Sequence, residues 1–351
     1  MDRQKGIIRY VVGLCAALTG LAAGGVLPAT ASANVVPSGT TAPYAAERPV
    51  SPAQPTPVPP LAVRAAVDPD PLSDLTVETS PTTGEASLPD APDLMELGEA
   101  RAVGALPDPQ VYGARIFRGR AFDTCHAPSL ATLRAWLASP YRAVGIYYGG
   151  RGRHCLDQPR LSRSWALGAQ RMGWDLLPVY VGSQSPCVRN KAKWHVRMGS
   201  RPWEQGRSEG RDAVRRAKAL GMVKRSALYL DMEAYDRKNA KCALATLDFI
   251  RGWNREVRSR GYFPGFYSSA NSGVRHLETA RRAGIRDLPS AMWFARWGKK
   301  PSLYGEPTLR DSAWHPHRRI HQYAGNVSEK HGGRRLSIDR NAVDAPVAIV
   351  R

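Results

Sequence analysis

From residue 114 onward, short apolar runs alternate with segments whose apolar residues recur at helical spacing. Residues 119–124 predict a strand ending in Asp123. Pro128, Ser129 and Leu130 open a helix to residue 138, with Leu130, Leu133 and Leu137 at helical spacing. Further strands are predicted over 143–149, 176–182, 263–268, 291–297, 319–323 and 336–340, with a central one starting at residue 227. Helices are predicted over 161–172, about 208–220, 243–260 and 274–283. Eight strands with helices between most of them is the count of an α/β fold of the (β/α)8, TIM-like barrel kind. The last two connections read as loops, which leaves the outer ring of helices incomplete. A doubly wound open sheet is the competing arrangement, but no glycine-rich phosphate loop follows the first strand.

The central strand carries the candidate chemistry. In Ala227-Leu228-Tyr229-Leu230-Asp231-Met232-Glu233-Ala234-Tyr235, alternation puts Leu228, Leu230 and Met232 on one face. Tyr229, Asp231 and Glu233 share the other. Strand rise separates Asp231 and Glu233 by about 6–7 Å at their roots. That is a workable separation for two carboxyl groups around one sugar linkage. The apolar opposite face and the flanking aromatics predict a strand buried on both sides. Two carboxylates on a solvent-facing strand is the plainer alternative.

In barrels of this kind, function sits at the C-terminal ends of the strands. Asp123 ends strand one, Asp231 and Glu233 strand four, Gln322 and Tyr323 strand seven, and Asp339 and Asn341 strand eight. Four strand ends carrying an acid, or an amide with a tyrosine, predict one shared pocket.

The N-terminal part has another character. Arg3, Lys5 and Arg9 precede an apolar run from residue 10 to 28, and Ala31-Ser32-Ala33 has the pattern of a cleavage site. Residues 1–33 read as a secretory signal peptide that leaves no membrane span after cleavage. Residues 34–108 hold 14 of the 28 prolines and Tyr44 as their only aromatic residue. So little apolar surface predicts a disordered, acidic linker. The barrel domain is expected over 109–351, secreted and associated with the cell wall.

Four cysteines follow the signal segment: Cys125, Cys155, Cys187 and Cys242. An even number in an exported chain points to disulfides, in any of three pairings. The barrel reading narrows these, because Cys125 and Cys155 follow strands one and two, and Cys187 and Cys242 follow strands three and four. Pairs Cys125–Cys155 and Cys187–Cys242 are expected around the mouth. A metal site is the rival, but no CxxC or HExxH spacing occurs, and neither metal nor cofactor is expected. The eight histidines are scattered; His126 and His154 lie near the expected mouth, and His321 would face away from Gln322.

The whole chain carries a formal +20, and residues 109–351 alone carry +26. Charge of this size attracts anionic envelope polymers by salt-sensitive electrostatics, and the basic loop 189–201, with Trp194 and Trp203, is one candidate surface. A merely solvated face is the alternative. A nuclease or nucleic-acid binder would rest on charge alone.

Several segments together resemble a family of secreted bacterial glycoside-hydrolase-like domains related to family 25 glycoside hydrolases, the lysozyme or muramidase barrel. They are FDTC with APSLATLRAWL (122–137), YRAVGIYYGG (141–150), LPVYVGSQSPC (177–187), LYLDMEAYD (228–236), GFYSS (265–269), RIHQYAG (319–325) and IDRNAVD (338–344). The muramidases share a thinner pattern: an early Asp, an Asp-x-Glu, a Gln-Tyr and a late Asp-x-Asn. The resemblance implies that Asp123, Asp231, Glu233 and Asp339 fall on acidic pocket positions, with Glu233 as proton donor. The cysteines, the RIHQY segment and the long basic loop depart from the muramidase pattern.

These observations predict a secreted glycosidase-like protein acting on cell-wall polysaccharide. Glu233, expected to be buried among carboxylates, would protonate the leaving oxygen, and Asp231 would stabilise the charge that develops. Asp123 and Asp339 would hold hydroxyls or a water. Tyr229, Tyr323, Trp293 and Trp297 would supply sugar-stacking faces, unless they pack in the core. A glycan-binding module that does not cleave is the rival reading.

Overall fold

The structure is a computed structural model, and it describes residues 107–351. The expected signal peptide, and all but the last two residues of the expected linker, lie outside the described residues. Eight strands close into a barrel in chain order. They are β1 (Ile116–Asp123), β2 (Tyr141–Gly149), β3 (Asp175–Tyr180), β4 (Ala227–Asp231), β5 (Phe263–Ser269), β6 (Ala291–Ala295), β7 (Arg319–His331) and β8 (Arg334–Pro346). Among the described residues the α-helices outside it are α1 (Leu130–Ala135), α2 (Arg163–Arg171), α3 (Pro202–Ala219), α4 (Ala240–Ser259) and α5 (Arg275–Arg282). None is long and apolar enough to cross a membrane.

The helices begin where the chain supplies a cap. Ser129, Ser162 and Asn239 each accept a hydrogen bond from the backbone three residues on, and Pro202 opens α3. α3 starts six residues before the expected position, because Pro202-Trp203-Glu204 can enter a helix while the glycines at 206 and 210 obscure its pattern.

Strands β1 to β7 run parallel. β8 is antiparallel to both β7 and β1, so the expected eightfold β/α repeat is not what forms. The cause is local. Only Gly332 and Gly333 separate β7 from β8, with φ of 51° and 77°. A two-residue turn with both φ positive joins antiparallel neighbours, whereas a parallel return needs a dozen residues or more. The fold is therefore a mixed α/β closed barrel whose last connection is a hairpin.

Alternation along the strands separates two apolar layers. Ala121, Leu177, Val179, Tyr229, Phe263, Trp293 and Ile320 fill the barrel interior. Phe122, Ile146, Leu228, Leu230, Phe266 and Met292 point outward beneath the helices. β4 is buried along its whole length, as its sequence predicted. It ends at Asp231, however, so Glu233 stands on the loop beyond it rather than on the strand face.

Cys125 pairs with Cys155 and Cys187 with Cys242, each with Cα atoms 5.8 Å apart. The first bridge ties the loop after β1 to that after β2. The second ties the loop after β3 to the start of α4, beyond β4.

Candidate active site

At the C-terminal ends of the parallel strands lies a cavity of about 740 Å³. Asp123, Asp231, Glu233 and Asp339 all line it, together with Tyr147, Tyr267, Trp297 and Lys193. The four acids expected from the sequence thus converge on one pocket.

Asp123, the last residue of β1, is buried and held by three donors. Tyr147 Oη donates to one carboxylate oxygen at 2.8 Å. Asn341 Nδ2 and Gln322 Nε2 donate to the other at 2.8 and 3.1 Å. Burial raises the pKa of Asp123, and these three hydrogen bonds pull it back down. Gly145 makes the arrangement possible: a Cβ there would come within 2.5 Å of the Asp123 Cβ.

Asp231 is 6% exposed, and among the described residues no group donates to its Oδ1. Its pKa is raised well above the usual carboxylate range, first by burial and then by the charges of Glu233 and Asp123, with Lys193 opposing. Glu233 differs from expectation. Its side chain is 34% exposed and lies 3.8 Å from the Lys193 ammonium, so the burial expected for Glu233 falls on Asp231. The strand has ended by then, and the chain turns toward solvent.

Gln184 fixes both acids through the backbone. Its side-chain amide donates to the Asp231 carbonyl at 3.0 Å and accepts from the Glu233 N–H at 2.7 Å. Gln184 is itself buried, and its backbone pairs with Val196 and Met198 at the end of the loop after β3. Lys193 lies on that same loop and donates to the Gly152 carbonyl at 2.6 Å.

Asp339 faces Asp123 directly across the β1–β8 ladder. The sequence reading put it at the C-terminal end of strand eight, yet it lies mid-strand; it reaches the mouth because β8 runs in reverse. It accepts from the Asn326 N–H at 2.6 Å and from Gln322 at 3.4 Å. Burial, then the neighbouring Asp123, raises its pKa to about 7.

The remaining candidates divide. Gln322 and Asn341 are buried, and they hold the acids rather than line the cavity. Gln322 also accepts from Tyr267 Oη and Trp297 Nε1, each at 3.0 Å. Trp293 is buried in the barrel and donates to Asn341 at 2.8 Å, so it is no stacking face. Tyr229 is likewise enclosed, donating to the Pro346 carbonyl at 2.7 Å with its ring edge-on to Trp293. Tyr323 alternates to the opposite side from Gln322, where its ring meets the edge of His321. Trp297 alone of the four expected aromatics stands at the rim, 51% exposed. His126 and His154 line the cavity. His321 faces away, its ring hydrogen-bonded to the backbone carbonyls of Ser302 and Arg296.

Tyr147, Tyr267, Gln184 and Lys193 escaped the sequence reading. Tyr147 shares a strand face with Ala143 and Gly145, and Tyr267 with Phe263 and Gly265. That alternation marks both as inward-facing at strand ends. Gln184 and Lys193 carry no such signal, since loop closure alone brings them to the site.

The chain matches the Rv2525c-like, glycoside hydrolase-like domain over residues 134–343. It is similar to the solved Mycobacterium tuberculosis Tat-secreted protein Rv2525c, with 16% identity and a TM-score of 0.43, over 65% of this chain and 96% of that one. It is similar to the catalytic domain of endolysin ply40 from bacteriophage P40 of Listeria monocytogenes, with 16% identity and a TM-score of 0.40, over 65% and 93%. Similarity to a muramidase from Acremonium alcalophilum is of the same order: 16% identity and a TM-score of 0.39, over 65% and 94%. No curated protein matches. The match over more than half its length makes the chain a member of the family of Rv2525c-like, glycoside hydrolase-like domains.

Proposed function

We propose that the protein is a secreted glycoside hydrolase that cleaves cell-wall glycan in the cavity at the barrel mouth. The observation that carries this reading is Asp231, a buried carboxyl whose Oδ1 has no donor among the described residues, beside Glu233 and facing a cavity with Asp123 and Asp339. An ionisable group held in this way destabilises its ionised form, and such groups cluster where chemistry is done. The Asp-x-Glu pattern of the muramidase resemblance supplies the roles. Glu233, the more accessible acid, protonates the leaving oxygen. Asp231 faces the positive charge that develops at the sugar, directly or through an N-acetyl group acting as internal nucleophile. Asp123, fixed by three donors, and Asp339 hold hydroxyls or a water. Trp297 offers a sugar ring its exposed face, and attraction of anionic wall polymers to the basic domain belongs to the same proposal.

The test is release of reducing ends from purified peptidoglycan by the wild type and by Glu233→Gln. General acid catalysis contributes roughly 10²–10⁴-fold, so the variant should lose that much rate while retaining glycan affinity. Undiminished cleavage by Glu233→Gln would falsify the proton donor.

One observation favours a second reading. The expected donor Glu233 is engaged with the Lys193 ammonium, an arrangement that suits a pocket that binds glycan without cleaving it. On that reading the wild type binds muramyl oligosaccharides and releases no reducing ends.

A further inference from the structure

At the end of the barrel away from the mouth, the loops leading into β4 and β5 meet the last turns of α3 and α4. They enclose a second cavity of about 350 Å³. Five of the seven described residues that line it are Lys218, Lys224, Arg225, Arg258 and Arg260, and none of the seven is acidic. The C-terminal ends of helices favour cations, which accounts in part for Lys218, Arg258 and Arg260. Lys224 and Arg225 belong to neither helix. Arg225 stands at φ 73°, a region that non-glycine residues enter at a cost, and its N–H donates to the Gly261 carbonyl at 2.7 Å.

The carboxylates next to this cavity are already shared. Glu256 pairs with Arg207, Arg211 and Arg260. Asp287 lies 3.4 Å from Arg255 and 3.7 Å from Arg258. Five guanidinium groups thus divide two carboxylates. Arg258 is 2% exposed, and its Nε and Nη1 make no hydrogen bond. A buried cation of this kind, short of counter-charge, gains from an added anion.

We propose that the cavity is a phosphate-binding site, through which the barrel is held by its base to a phosphate-bearing polymer while the mouth stays open. A tetrahedral anion can accept from several cations at once, and guanidinium forks match its oxygens. This site is independent of any glycan cleavage at the mouth.

The test is titration of the full chain with inorganic pyrophosphate at about 0.15 M salt, where exposed charges are screened, followed by calorimetry. Saturable one-site binding is expected. One charge-assisted hydrogen bond is worth about tenfold in affinity. Lys218→Gln combined with Lys224→Gln should therefore weaken binding about a hundredfold. A control of the same charge change, Lys241→Gln with Arg282→Gln, should stay within about twofold, because it alters only screened surface charge. Should the double variant lose its fold, Lys224→Gln alone serves, at about tenfold. Equal weakening by test and control variants would overturn the site. Equal affinity for citrate would overturn the phosphate assignment. Displacement of pyrophosphate by a poly(glycerol phosphate) chain supports the polymer as source, and failure to displace it overturns that source.

Discussion

Two acids two positions apart have different surroundings: β4 buries Asp231, and the loop after it leaves Glu233 a third exposed beside Lys193. This difference sets what each substitution should do. An unfolded aspartate titrates near 3.9, and folding raises Asp231 well above that. The sign follows: below about pH 4 the group is protonated in both states and costs nothing. As pH rises toward the folded value, the unfolded state ionises freely and the folded state does not, so stability falls. Asp231→Asn should therefore raise Tm at pH 8 and leave it nearly unchanged at pH 4; on the proposed function it should also lower turnover, since it removes a carboxyl that would ionise against the positive charge developing at the sugar. Equal shifts at both pH values in calorimetric scans would show that packing, not ionisation, is responsible. Gln184→Ala should act on both acids together by freeing the backbone at 231 and 233. On the proposed function its kcat should fall, and its Tm should fall too, because the Asp231 carbonyl and the Glu233 N–H lose their partners; Asp231→Asn moves Tm the other way, and melting separates the two.

At the level of elements, the strands that pack on both faces were the legible ones. β4 could be read because its alternation is complete, and so could the disulfides, because loops after neighbouring strands are neighbours in space. What misled was the assumption that eight strands repeat one connection. Gly332-Gly333 between two polar-apolar runs is a hairpin signal, and it reverses β8 and so brings Asp339 and Asn341 to the mouth from mid-strand. Tyr229 and Trp293 were misplaced for a related reason: an inward side chain contacts ligand only at the last turn of the barrel, and deeper ones fill it. The loop after β3 was opaque, since Gln184 and Lys193 owe their places to long-range closure. Cys187–Cys242 anchors that loop. Its removal by Cys187→Ala with Cys242→Ala should cost about 2–5 kcal/mol, read from denaturant unfolding. On the proposed function it should also lower activity more than loss of Cys125–Cys155 does, because the loop carries both Gln184 and Lys193. Equal activity losses from the two pairs would argue against a positioning role for the loop.

Across the whole molecule, buried carboxyls pull stability in opposite directions along the pH axis. Burial alone would raise Glu256, Glu306 and Glu329, but hydrogen bonds from Arg260 and Arg207, from Arg296, and from His331 and Arg340 lower them instead. Groups with depressed folded values contribute stability above about pH 4.3 and lose it as pH falls through the folded value. Asp123, Asp231 and Asp339 work the other way, and for Asp339 the window is defined: it opens near the unfolded value of about 3.9 and closes at its folded value of about 7. The two sets together predict a dome, with Tm highest in the mildly acid range, at about pH 5. The acid side of the dome belongs to these three hydrogen-bonded glutamates, the neutral side to the mouth. Asp339→Asn should therefore flatten the decline between about pH 5 and 7 and leave the acid limb in place. It should not abolish the decline, because Asp123 and Asp231 remain. Calorimetric Tm values at half-unit pH steps for the two proteins would decide it: parallel curves from pH 5 to 8 would mean that Asp339 ionises as freely in the folded chain as in the unfolded one, and that the mouth carries no electrostatic strain at that position.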